Sequence, residues 1–290
     1  MNKQGKLAGW LSAPLIFGAF AVLFWLEKRR PLRREVEPGP NRPGRNLAIA
    51  ALGAAALQIT ERPVTEMLTR LVERRGWGLL KRVSLPRPFE IGLALILLDY
   101  TLYIWHVLTH RVPILWRYHL VHHIDLDLDT STALRFHFGE LILSVPWRAA
   151  QILLIGVSPA ALSLWQTALL LSIIFHHSNV RMPINLERTL SRLFVTPRMH
   201  GIHHSVIEEE TNSNWSSGLA IWDRLHGTLK LNVAQDEITI GVPGYRGSDE
   251  VKLSKVLALP FREPRPSGEV SDHDRPVRRD SAMKEDYLLR

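Results

Sequence analysis

The chain contains no cysteine. That single absence removes disulfide frameworks, thiolate metal sites and cysteine nucleophiles together, and it weighs against structural zinc, which usually takes thiolate ligands. There is no Walker-type phosphate loop and no G-x-G-x-x-G fingerprint, so nothing points to a bound nucleotide. Flavin, haem and nicotinamide motifs are missing as well. Charge of one sign is scarce relative to the other: 36 Lys and Arg stand against 28 Asp and Glu, for a net charge of +8. Such a balance invites a nucleic-acid reading. The arginines, however, flank apolar segments and do not line one polar face, which fits anchoring at a membrane surface and excludes nucleic acid as the expected partner.

What is present is unevenly distributed. Mean hydropathy is -0.01 and hydrophobic content 46% over 290 residues, yet the apolar blocks lie in the first two thirds of the chain. Residues 7–26 carry no charge and are long enough to cross a bilayer, which takes about 20 apolar residues. Glu27-Lys28-Arg29-Arg30-Pro31-Leu32-Arg33-Arg34 follows them, a stop-transfer pattern that the positive-inside rule places in the cytoplasm. Residues 47–59 are apolar, short and rich in alanine, and read as a second span or a re-entrant helix. Residues 61–88 mix apolar and basic positions and predict an interfacial amphipathic helix. Together, residues 1–88 form an N-terminal membrane-anchoring region.

A further apolar block at 89–105 leads into the histidines. Blocks at 138–157 and 159–175, joined near Gly156 and Pro159, predict an antiparallel helical hairpin whose open ends return to the same membrane face. The fold expected is therefore all-α: an integral-membrane bundle of about four transmembrane or re-entrant helices, with a cytosolic helical cap. Residues 89–232 make up the histidine-bearing domain, and residues 245–290, rich in proline and in charges of both signs, predict a disordered polar tail.

Histidine carries the chemistry. His106 and His110 are four apart, and H-x-x-H-H occurs at His119, His122 and His123 and again at His200, His203 and His204. Positions i, i+3 and i+4 share one helical face, so each box directs three imidazoles at one volume. A lone histidine at the end of an apolar helix is ordinarily just hydrogen-bonded. Several buried imidazoles with no partner are different, since each unsatisfied polar group costs about 1–3 kcal/mol. Metal coordination removes that cost, and nitrogen ligands suit iron, zinc, copper or nickel. Asp99 and Tyr103 precede His106 by seven and three residues on the same helical face. An acid inside a membrane helix is functional by default, and Asp99 is read as the carboxylate that holds an imidazole N–H or a nearby polar group. Asp125 and Glu140 are further candidates for that work. His137 stands at the start of the hairpin, and His176 and His177 at its end.

These boxes, in this order, resemble the fatty acid hydroxylase / sterol desaturase superfamily of integral-membrane di-iron enzymes. The F-H-H-S-N around His177 and the closing W-D-R-L-H-G-T at 222–228 also look like this family, and the similarity covers roughly residues 90–230. The resemblance implies two iron ions bound mainly by histidine. His106, His110, His119, His122, His123, His200, His203 and His204 match the boxes, with His177 and His137 carried over beside them. It further implies activation of dioxygen and attack on an unactivated C–H bond of a lipid, giving hydroxylation or desaturation of a sterol-like or fatty-acyl substrate, with electrons from a separate ferredoxin or reductase. His226, where relatives often have phenylalanine, is not expected to be a ligand. The expected location is a bacterial inner membrane with the metal site on its cytoplasmic side.

Two other readings stand beside this one. A zinc hydrolase would normally carry a general-base glutamate next to its ligand pair, as in H-E-x-x-H, and neither H-x-x-H-H box has one. A metal transporter would place its ligands near the bilayer midplane on broken helices, whereas these histidines gather at helix ends. Because residues 265–290 carry no box, their removal is expected to leave metal binding intact. Elemental analysis of the truncated protein checks this, and loss of metal would mean that the tail closes the site.

Overall fold

A computed structural model describes residues 3–37, 39–263 and 265, with side chains from Ser12 onward. Twelve α-helices, four short 3-10 helices and no β-strand occur among the described residues, the α-helices in the order α1 (Lys3–Arg29), α2 (Asn41–Ile59), α3 (Glu61–Arg75), α4 (Arg87–Arg111), α5 (Pro113–His123), α6 (Phe138–Ile155), α7 (Pro159–His177), α8 (Ile184–Leu190), α9 (Pro197–His203), α10 (Glu208–Thr211), α11 (Ile221–Leu225) and α12 (Leu253–Ala258). Three of them, α4, α6 and α7, are long and apolar enough to cross a membrane. Large apolar side chains remain exposed on all three, among them Phe89, Ile96, Leu154 and Leu164. In water such a surface would be a liability, and in a bilayer it is the expected lipid-facing side. The expected first span, residues 7–26, lies within α1, although its side chains before Ser12 fall outside the described residues.

Breaks in the helices follow from local chemistry. Pro113 disfavours helical geometry in the residue before it, and Val112 is accordingly extended, at φ -94 and ψ 115. The chain thus leaves α4 and starts α5 in a new direction, with Pro113 in the first turn, where its missing N–H costs nothing. The α6–α7 hairpin is closed by Gly156 in the left-handed region (φ +86), and Ser158 then caps α7 by accepting from the Ala161 N–H. Gly78 packs against that turn. A Cβ on Gly78 would lie 2.3 Å from the Gly156 Cα.

Two apolar cores result. One joins α3, α4, α6 and α7 through Val72, Leu98, Ile152 and Trp165. The other lies beneath the histidine region and contains Ile49, Leu120, Val121 and Ile124 together with Tyr245, Val251 and Val256.

Three boundaries differ from the sequence-based expectation. The amphipathic helix expected over 61–88 ends at Arg75, because Gly76 takes a left-handed φ of +63 that terminates it. The apolar segment 47–59 belongs to a longer helix, α2, whose first turns carry the buried and hydrogen-bonded Arg42 and Asn46 and which packs along α6. It is not among the helices apolar enough to span. The tail expected from residue 245 is corrected for its first part. Tyr245, Val251 and Val256 are buried in the second core, and α12 packs on α2. Their apolar side chains are sparse in the sequence but converge on one surface. Residues 266–290 lie outside the described residues.

Replacing Gly78 by alanine forces a Cβ into fixed backbone at a φ of +98. The expected cost is about 1–3 kcal/mol, read as a lower thermal unfolding midpoint in detergent. An unchanged midpoint would show that the hairpin end can open to admit it.

Candidate metal centre

Nine of the ten histidines expected as ligands come together. They form two groups within which the candidate ligand atoms all lie within 4.8 Å of one another: His106, His110, His119, His123 and His203 in one, and His122, His177, His200 and His204 in the other. The groups adjoin, since the rings of His123 and His204 stack at 4.3 Å. α4 supplies two members, the last turn of α5 three, the end of α7 one, and α9 with the residue after it three. In α9 the Thr196 hydroxyl caps the helix and Pro197 opens it, so the second H-x-x-H-H starts from a fixed end. His204 lies just past α9 but keeps helical pairing through its N–H to the His200 carbonyl, at 3.1 Å.

In the first group three rings are held through Nδ1. His106 Nδ1 donates to the Trp215 carbonyl at 2.7 Å, His119 Nδ1 to Glu140 Oε1 at 2.9 Å, and His203 Nδ1 to the Ser213 carbonyl at 2.8 Å. Nε2 of His110, His119 and His203 is buried with no partner, and so are both ring nitrogens of His123. In the second group His122 Nδ1 faces the Arg135 carbonyl at 3.3 Å and His177 Nδ1 the Ile173 carbonyl at 2.8 Å. Carbonyls only accept, so both rings carry their proton on Nδ1 and present a lone pair at Nε2. Those two Nε2 atoms are 3.0 Å apart, with His200 Nε2 3.0 Å from that of His177 and His204 Nε2 3.1 Å from that of His200. Facing lone pairs at that distance repel. A cation between them turns the repulsion into coordination, and nitrogens about 2.1 Å from one ion lie roughly 3.0–3.4 Å apart at angles of about 90–110°. The donor set therefore fits a bound metal in both groups.

Burial keeps the rings neutral, as ligands must be. It pushes His122, His123, His200 and His204 well below the ordinary imidazole value, with neighbouring imidazoles adding to the effect, and it lowers His203 to about 3.

His137 is not brought into either group. Its Nδ1 caps α6 by accepting from the Gly139 N–H and its Nε2 lies 3.2 Å from the Leu257 carbonyl, so both ring nitrogens are engaged elsewhere. The imidazole-orienting carboxylate is Glu140. Asp99, favoured by helical spacing, is turned toward the cap and accepts from Trp222 Nε1 at 2.7 Å and from the Leu219 N–H at 3.0 Å. It thus holds polar groups of the cap and touches no imidazole. Asp125 serves the scaffold. Burial would raise its carboxyl, but Arg42 and Arg135 outweigh that and hold it at about 2. It receives a forked pair of bonds from Arg42, at 3.0 and 2.9 Å. His226 stacks on Tyr103 at 4.9 Å and lies outside both groups.

Several contributors escape a reading of the sequence because they act through backbone atoms. Asp223, in the closing W-D-R-L-H-G-T, accepts from the Trp215 and Ser216 N–H groups at 2.9 and 3.0 Å and from the Thr228 hydroxyl, which meets Tyr103. It fixes the turn whose carbonyl orients His106. His176 belongs to neither group, yet its ring lies 4.1 Å from that of His200 and its Nδ1 is buried without a partner.

In the unfolded chain these imidazoles titrate near 6.5, and in the fold they do so well below it. The folded state therefore binds fewer protons in the window beneath 6.5, so stability is full above that pH and is lost progressively as the pH falls below it. The thermal midpoint of metal-free protein is expected to drop steadily on acidification from pH 6.5. A flat midpoint down to pH 4.5 would contradict neutral burial of the histidines.

The sequence profile of the fatty acid hydroxylase family matches residues 91–228. Ornithine lipid hydroxylase OlsE of Rhizobium tropici is 33% identical over 160 residues, which cover 55% of this chain and 47% of that protein. Alkylglycerol monooxygenase of Xenopus tropicalis is 29% identical over 155 residues (53% and 34%), and a cholesterol 25-hydroxylase-like protein of Danio rerio is 29% identical over 144 residues (49% and 55%). The chain thus spans between a third and just over half of the length of these relatives. No solved structure matches. Every box histidine and the W-D-R-L-H-G-T motif lie inside residues 91–228, the region that is similar to the fatty acid hydroxylase family.

Proposed function

We propose that this protein is an integral-membrane, non-haem di-iron oxygenase acting on a C–H bond of a lipid. The observation that carries the reading is the pair of adjoining all-imidazole groups whose unpartnered or mutually facing nitrogens point inward, at the ends of three membrane-capable helices. His106, His110, His119, His123 and His203 would hold one ion, and His122, His177, His200 and His204 the other. When bound, such ions supply redox chemistry with dioxygen that imidazole itself lacks.

The chain's own residues do the remaining work. Glu140 and the carbonyls of Trp215, Ser213, Arg135 and Ile173 fix ring orientation. Burial of both groups keeps water and stray protons from the reacting atoms. The exposed apolar sides of α4, α6 and α7 give a lipid a route from the bilayer, and the basic run after α1 favours the cytoplasm for the metal-bearing end. Hydroxylation is preferred to desaturation because the relatives are named as hydroxylases and monooxygenases. Their named substrates (an ornithine lipid, an alkylglycerol and cholesterol) share only lipid character, so the substrate proposed is a lipid and no narrower. Hydroxylation by dioxygen also consumes two electrons and two protons and releases water, and the chain has no motif for an organic redox cofactor. A separate ferredoxin or reductase is therefore part of the proposal.

Protein purified in detergent from iron-replete cells should carry about two irons per chain. His203→Ala and His122→Ala should each lower that content and abolish oxygen-dependent lipid hydroxylation with an added reductase system. Full occupancy and normal turnover in both variants would refute the assignment. Zinc in place of iron would call for iron reconstitution, and failure to take up iron then would refute it as well.

A further inference from the structure

A cavity of about 480 Å³ opens between Arg29, Arg30 and Pro31, at the end of α1, and Arg181, Met182 and Pro183, just after α7. Its frame is fixed. The Arg181 N–H donates to the Arg30 carbonyl at 2.7 Å, and the Leu32 N–H donates to the Asn179 carbonyl at 2.8 Å. Pro31 and Val180 form an antiparallel bridge. The Asn179 side chain completes the lock by accepting from the Arg33 N–H and donating to the Arg33 carbonyl, at 2.8 and 2.9 Å.

The guanidinium groups of this frame are left over. Arg29 lies over the exposed Trp25 ring at 5.2 Å, and among the described residues no carboxylate pairs with Arg29, Arg30 or Arg181 and none lines the cavity. Several more buried arginines are matched inside the protein: Arg42 pairs with Asp125 and Asp129, Arg45 with Glu37, and Arg198 with Glu187, while Arg33 bonds the Pro197 carbonyl and Gln235. Three exposed guanidinium groups without a carboxylate partner thus stand on two segments locked to each other, and an anion between them would offset their charge.

We propose that this cavity binds a phosphate group, as carried by the headgroup of an anionic phospholipid. The guanidinium fork matches phosphate oxygens in pairs. Trp25 and the three arginines stand at the end of an apolar helix, the level at which tryptophan and basic residues meet lipid phosphates. A volume of about 480 Å³ falls within the usual range for small-molecule sites, about 300–1,000 Å³. Arg181 is four positions after His177, so the cavity opens on the metal-bearing end of the bundle. The proposal does not depend on the oxygenase reading, because its test reads binding alone.

Native mass spectrometry of the full chain in neutral detergent, with phosphatidylglycerol, phosphatidylcholine and inorganic phosphate as probes, decides it. Wild-type protein should retain phosphatidylglycerol in preference to phosphatidylcholine. R29Q/R30Q/R181Q should weaken that retention roughly tenfold or more, while R74Q/R75Q, which removes two exposed arginines at the end of α3, should not. Displacement of the lipid by millimolar inorganic phosphate would show that the phosphate group alone is recognised. Persistence of the lipid would show that its glycerol and acyl parts contribute. Elution volume and metal content like those of wild type establish that the triple variant is folded, and should it fail that check, R30Q and R181Q are read singly. Retention of phosphatidylglycerol by the arginine variants at wild-type strength, equal loss in R74Q/R75Q, or no lipid preference in the wild type would each overturn the proposal.

Discussion

Lone pairs aimed at one another across about 3 Å are the constraint on which this structure turns. His122 and His177 both spend their ring proton on a backbone carbonyl, so their Nε2 atoms meet bare at 3.0 Å. Neither ring can turn away, because each is buried and held from behind. At His122 burial also blocks the other escape, protonation, by driving the imidazole titration far down. An arrangement that repels when empty and is favourable when it surrounds a cation is how a protein stores affinity for a metal in its fold.

Holding those rings is what the surrounding elements do. Proline at 113 turns the chain between α4 and α5, so that histidines on consecutive helices face one volume instead of continuing along one axis. The α6–α7 hairpin brings His177 back to the same level, and the cap after α7 closes over the group with α9. Asp99 and Asp223 secure that cap from two directions. Asp99 anchors Trp222 and Leu219 to a membrane helix, and Asp223 stiffens the turn at Trp215 whose carbonyl holds His106.

Below the histidines, charge is matched inside the protein. Arg42 reaches from α2 into the loop that follows α5 and meets Asp125 and Asp129. Glu27, at the end of α1, accepts from the Thr130 N–H and hydroxyl and from the Asn179 N–H. Breaking a buried pair of this kind by removing one partner costs about 3–5 kcal/mol. The N-terminal helices, which lie outside the family-matched region, are thereby built into the floor of the site.

The sequence by itself determined the helical fold class and singled out nine histidines that the fold gathers into two groups. Spacings of three and four residues are a property of the helix and are visible before any folding, and uncharged runs of helix-spanning length report the bilayer in the same local way. The break near Gly156 is legible for the same reason, whereas the stop at Gly76 falls inside the segment that the sequence predicts as one helix over 61–88. What only the tertiary structure decided depends on residues far apart in the chain. The division of nine imidazoles into five and four arises because adjacent residues, about 100° apart around a helix, enter different groups: His122 and His123 on α5, and likewise His203 and His204. Glu140 in place of Asp99 as the carboxylate on an imidazole follows from how α6 lies against α5, which no spacing within one helix encodes. His137 looked like a ligand by composition and is a helix cap by position, since Gly139 and Leu257 reach its two nitrogens first. The carbonyls that orient the rings belong to Trp215, Ser213, Arg135 and Ile173. Every residue has a carbonyl, so only the folded backbone can say which ones are used.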